Sequence, residues 1–87
     1  MGNKKNEKKL KNTIKSSIAI LDEQLKRLEN QKKAFTESGK QAKQKGLTEQ
    51  YDIAVSGLGA AIAQQKRLHT VKLNFELALQ LNDLYKT

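Results

Sequence analysis

The sequence predicts an all-α fold: one long antiparallel two-helix hairpin, coiled-coil-like, that dimerises into a four-helix bundle or a larger assembly. Three observations predict it. The 87 residues contain no Pro, so nothing removes a hydrogen bond from a helix interior. Leu, Lys, Gln, Ala and Glu dominate, which favours helix over strand. Apolar residues recur at alternating spacings of four and three on both sides of a single break, the pattern of a helix laid along a partner helix.

The elements follow in order within a single domain. Residues 1–9, "MGNKKNEKK", show no apolar period and read as a basic, frayed N-terminus. The first helix spans about 10–44. Its stripe runs through Ile14, Ile18, Leu21, Leu25, Leu28, Phe35 and Ala42. Leu10 extends the stripe by one turn, and Lys32 and Gly39 occupy two of its places. Lys32 is expected to lay its stem on the seam and hold its charge in water. The turn is 45–47. Gly46 suits the left-handed residue that ends a helix, and Lys43 and Lys45 suit the negative helix end. Thr48 is the expected N-cap of the second helix, with Glu49 and Asp52 near its positive end.

The second helix spans about 48–85. Leu47, Tyr51, Ala54, Leu58, Ala61, Gln65, Leu68, Lys72, Phe75, Leu79 and Asn82 keep the four-three spacing throughout. The hairpin core is therefore Ile14, Ile18, Leu21, Leu25, Leu28 and Phe35 against Leu58, Leu68, Phe75 and Leu79. At about 1.5 Å per residue the hairpin is about 55–60 Å long. Hairpin geometry is expected to pair residues whose numbers add to about 90, which sets residue 55 opposite Phe35 and His69 near Leu21. The uncharged run "AVSGLGAAIA", residues 54–63, then reads as a packing seam of low bulk. It leaves room for the Phe35 ring or for a neighbouring helix. Gly57→Ala would keep or raise stability on a free face, but disturb assembly if a partner helix crosses there.

A second stripe, Leu73, Leu77, Leu81 and Leu84, occupies another face of the second helix. One partner helix covers one face, so these four residues are the candidate self-association site.

The net charge is +8 and unevenly placed. Residues 1–46 hold 13 Lys/Arg against 5 Asp/Glu, whereas residues 47–87 hold four of each. Lys4, Lys5, Lys8, Lys9, Lys11 and Lys15 form a basic N-terminal group with Glu7 as its one acid. Such asymmetry suggests an anionic partner, a phospholipid surface or nucleic acid; a solubilising tail is the equal alternative. No aromatic residues interleave with the lysines, so nucleic-acid binding would be electrostatic, without base readout.

Catalytic chemistry is not expected. His69 is the one His and there is no Cys. The hairpin sets His69 beside Asp22 and Glu23, where an ion pair or a solvated ring accounts for it. "SGK" at 38–40 and "GLG" at 57–59 each lack the glycines of a phosphate or dinucleotide loop. No metal, cofactor or small-molecule substrate is expected. The longest apolar runs, "IAIL" and "LGAAIA", fall far short of a membrane span. The basic N-terminus has no apolar stretch behind it and does not read as a secretory signal. "MGNKKN" carries Asn6 where N-myristoylation needs Ser or Thr. A cytoplasmic protein with peripheral membrane contact is the expectation.

The hairpin resembles the core helical hairpin of ESCRT-III subunits, the eukaryotic and archaeal membrane-remodelling proteins. The resemblance rests on Ile14-Lys15, Ile18, Leu21-Asp22, Gln24-Leu25 and Leu28, then Ala42, Lys43, Lys45 and Gly46 at the tip. The returning helix matches through Ala54 and Leu58, with Lys66 and Arg67 midway. It covers about residues 10–85. Gly57 and Gly59 depart from the pattern, and no apolar insert precedes the hairpin. The resemblance implies a non-enzymatic, polymerising hairpin whose basic face meets anionic lipid. A small homodimeric scaffold or adaptor, and a basic protein bound to nucleic acid, are the alternatives from composition.

Overall fold

The computed structural model describes residues 3–85, with side chains from Asn6 onward. Two helices, α1 (Asn3–Gln44) and α2 (Thr48–Leu84), pack against each other as an extended antiparallel hairpin. The molecule measures 68 × 14 × 13 Å. The hairpin itself is 59 Å long, as expected; α1 begins at Asn3, so residues 3–9 are helical instead of frayed. Lys and Glu are good helix formers, and this stretch has no Gly or Pro after position 3 to stop propagation.

The turn is a Schellman motif. Gly46 has φ +69°, the Gly46 N–H donates to the Lys43 carbonyl at 3.2 Å, and the Leu47 N–H donates to the Ala42 carbonyl at 2.9 Å. The motif places the apex of the hairpin at Gly46–Leu47, within the expected turn 45–47. It also corrects the N-cap: Leu47 holds that place, no side chain caps α2, and Thr48 is already its first helical residue.

Among the described residues, three polar contacts cross between the helices. The Lys11 ammonium lies 3.3 Å from Asp83, the Lys72 ammonium 2.6 Å from Asp22, and the Gln65 side-chain amide donates to Glu29 at 2.9 Å. Each pair of numbers adds to 94, not to about 90. His69 therefore lies level with Leu25 rather than Leu21, and it is exposed. Asp22 is taken by Lys72. Gly57, not residue 55, faces Phe35.

The seam is thin. Ile14, Leu21, Leu25, Ala42, Ala54 and Ala61 are its buried apolar residues, with Gly39 buried beside them. Ile18, Leu28, Phe35, Leu58, Leu68, Phe75 and Leu79 are half-buried. Lys32 sits half-buried on the seam with its ammonium 3.4 Å from Glu29. Leu10 does not extend the stripe and is 54% exposed. The interval from Ile18 to Ile14 is four, so the alternation next requires three, which puts Lys11 on the seam. Among the described residues no large side chain is fully buried. A core this slight leaves an isolated hairpin marginal.

Candidate functional site

The two helices differ on their outward sides. Nine large apolar residues of α2 are exposed: Tyr51, Ile53, Val55, Ile62, Val71, Leu73, Leu77, Leu81 and Leu84. In α1, Leu10 and Ile20 alone are, among the described residues. At roughly 100° per residue, Leu73, Leu77, Leu81 and Leu84 centre about 180° from the seam residues Leu68, Lys72, Phe75 and Leu79. They therefore form a back face that α1 cannot reach. Their exposures are 56%, 47%, 53% and 68%.

The back face continues toward the turn through Thr70, Ala63, Gly59 and Ser56, with Val55 and Ile62 on its border. Residues 53–65 contain no charged group, and Lys66 is the one cation on this face between Asp52 and the leucines. A Cβ built on Gly59 meets nothing within 4 Å. Gly59 is thus unlike Gly57, whose added Cβ would sit 2.6 and 2.7 Å from the Cζ and Cδ1 of Phe35. Only Gly57 is required by the hairpin itself. The seat it makes for Phe35 matches the sequence reading of this run as a low-bulk seam. Gly57→Ala would not act on a free face, because the Phe35 ring occupies the space.

The outward side of α1 is the opposite in character. Asn12, Ser16, Glu23, Lys26, Arg27, Asn30, Lys33, Glu37 and Lys40 line it, all exposed. Residues 3–44 carry 12 Lys/Arg against 5 Asp/Glu, whereas residues 48–84 carry three against four. In the N-terminal basic group, Lys8, Lys9 and Lys15 are exposed. Lys11 is turned into the seam toward Asp83, with 27% of its side chain exposed. The side chains of Lys4 and Lys5 lie outside the described residues.

Polar contacts on the flank of the seam tune two groups. The Gln65 amide and the Lys32 ammonium hold the Glu29 carboxyl below its usual range. The hydrogen bond to Asp22 raises the Lys72 ammonium above its usual value, against a smaller opposing effect of desolvation. Among the described residues no group of three His, Cys, Asp or Glu side chains gathers. No helix is long and apolar enough to cross a membrane.

The sequence matches no protein-family model, and comparison with curated proteins and with solved structures gives no match. The chain is an elongated two-helix antiparallel hairpin, and no family is identified. Exposed apolar residues on an extended hairpin are consistent with self-association.

Two features of the site were missed from the sequence. Lys11 leaves the basic group for the seam, which the four-three alternation could have revealed. Gly59, Ala63 and Ser56 share the back face with the leucines, which a count of about 100° per residue from Leu77 could have revealed.

Proposed function

We propose that the chain is a non-enzymatic, self-associating helical hairpin that acts as a structural element. The observation that carries this reading is the leucine face of α2, set opposite the seam and left uncovered by α1. An isolated hairpin would hold that face in water over several turns, a feature that marks an interaction surface. Light scattering tests it: a mass of twice 9.8 kDa or more at micromolar concentration is expected, and a strictly monomeric mass defeats the reading.

Membrane association is the finer part of the proposal. The excess charge of α1 supports it, because each Lys or Arg near an anionic bilayer contributes about 1 kcal/mol. The ESCRT-III resemblance implies the same partner. A straight helix meets a plane of mobile lipid along its whole length, and a duplex only where its strands cross it. Sedimentation with vesicles tests the point. The protein should pellet with phosphatidylserine vesicles and not with neutral ones, and the effect should fade with salt. No pelleting with anionic vesicles would leave the homodimeric scaffold. Tighter binding to duplex DNA, falling steeply with salt, would favour nucleic acid.

A further inference from the structure

We infer that two copies associate back to back through α2 in antiparallel register, with Leu77, Leu81 and Leu84 of one copy seated over Ala63, Gly59 and Ser56 of the other. The inference rests on the proposed self-association and specifies its geometry. The back face of α2 is divided by bulk. Its C-terminal half carries Leu73, Leu77, Leu81 and Leu84, and its N-terminal half carries Ala63, Gly59 and Ser56. In an antiparallel pair with Thr70 at the two-fold axis, three of the four leucines meet a small residue, and Leu73, nearest the axis, lies level with Arg67. Leu77 then faces Ala63, Leu81 faces Gly59, and Leu84 faces Ser56. A parallel pair would set leucine on leucine at one end and glycine on glycine at the other. It would splay the first end and leave a void at the second.

Gly59 supplies the independent reason. A mid-helix Gly weakens a helix relative to Ala, and nothing within the hairpin occupies the space its missing side chain leaves. Close approach of a second backbone uses that space. Charge points the same way. The outward side of α1 is basic and would repel its copy, whereas the back face of α2 carries Lys66 alone near the axis. Its four-carbon stem can lie on the contact with the ammonium in water. About 29 residues of each α2 would overlap, about 44 Å on a rod about 10 Å wide. The footprint is about 900 Å² over both copies, just under the size of a stable specific interface and in the range of a weak one.

Disulfide trapping tests the register, because the chain has no Cys of its own. Gly59→Cys and Leu81→Cys chains would be mixed, oxidised and run without reductant. Mixed covalent dimers should form as the main product, and the Leu81→Cys chain alone should stay uncrosslinked, since its two thiols would lie about 33 Å apart. Efficient crosslinking of Leu81→Cys with itself would overturn the antiparallel register while leaving self-association intact. A dimeric mass with no crosslink in the mixture would overturn the use of this face. A monomeric mass for the unmodified chain would remove the proposed function itself. As a second variant, Gly59→Trp should halve the mass and retain helicity, because the hairpin leaves its side-chain space open; a full dimer with Trp at 59 would contradict the seat.

Discussion

Replacing Gly57 with Ala probes the seat where the Phe35 ring takes the space of a missing side chain. The new methyl would sit 2.6 Å from Phe35 Cζ and 2.7 Å from Cδ1, about 1 Å inside ordinary carbon contact. Phe35 must turn outward or the helices must part. Overpacking of this kind costs about 1–3 kcal/mol, and Ala for Gly in a helix interior returns about 1 kcal/mol. The net effect is a loss of about 0–2 kcal/mol. Gly39→Ala is the matched control. It lies on the same seam, but its Cβ would stand 3.6 Å from the Ala54 Cβ, an ordinary contact, so it should gain about 1 kcal/mol. Urea unfolding followed by helical circular dichroism, at one fixed protein concentration, should separate the two variants by about 1–3 kcal/mol. Introducing Gly57→Ala into a Phe35→Ala background should reverse its sign to a gain of about 1 kcal/mol, because the obstructing ring is gone. Equal stabilisation by Gly39→Ala and Gly57→Ala, with no coupling to position 35, would refute the seat.

Further outcomes follow from the turn, the seam end and the ion pairs. Gly46→Ala should lower stability by about 1–2 kcal/mol, because φ +69° forces an L-residue into the left-handed region; an unchanged urea midpoint would contradict it. Asn82 Nδ2 is buried on the seam without a hydrogen-bond partner among the described residues, so Asn82→Leu should raise stability by about 1 kcal/mol or more, read in the same assay. Lys72 has its folded value raised, so its contribution is full below the ordinary lysine value and is lost as pH rises through the higher folded one. Glu29 has its folded value lowered, so its contribution is full above the ordinary carboxyl value and is lost as pH falls through the lower folded one. The urea midpoint should sag at both extremes, and Lys72→Met should flatten the alkaline limb alone.

The architecture was legible because its signals are long-range and redundant. The four-three spacing persists through both helices, and no Pro interrupts it, so the pattern fixes helix type, partner face and antiparallel return together. Gly46 was legible as the turn because it stands where the period restarts. Register was harder. Facing numbers add to 94 at the cross-helix polar contacts, not to about 90, and the Schellman geometry at Gly46–Leu47 decides it. That shift is why Phe35 meets Gly57 and why Asp22 meets Lys72 and leaves His69 in solvent. The leucine face of α2 was legible from its spacing. Its small-residue half was not, because Gly59 and Ala63 carry no hydropathy signal and acquire meaning only when their bearing on α2 is known. The fate of Lys11 was hidden by Leu10, the more apolar neighbour on the wrong side of the alternation.

The most direct test of the account is the solution mass of the unmodified chain beside a Leu77→Glu, Leu81→Glu variant, measured by sedimentation equilibrium at micromolar concentration. The account predicts a dimer or larger species for the first. For the second it predicts a monomer near 9.8 kDa that keeps its helical spectrum, since neither leucine touches the seam. A monomer for both, or an undiminished assembly in the variant, would contradict the claim that the back face of α2 holds the copies together.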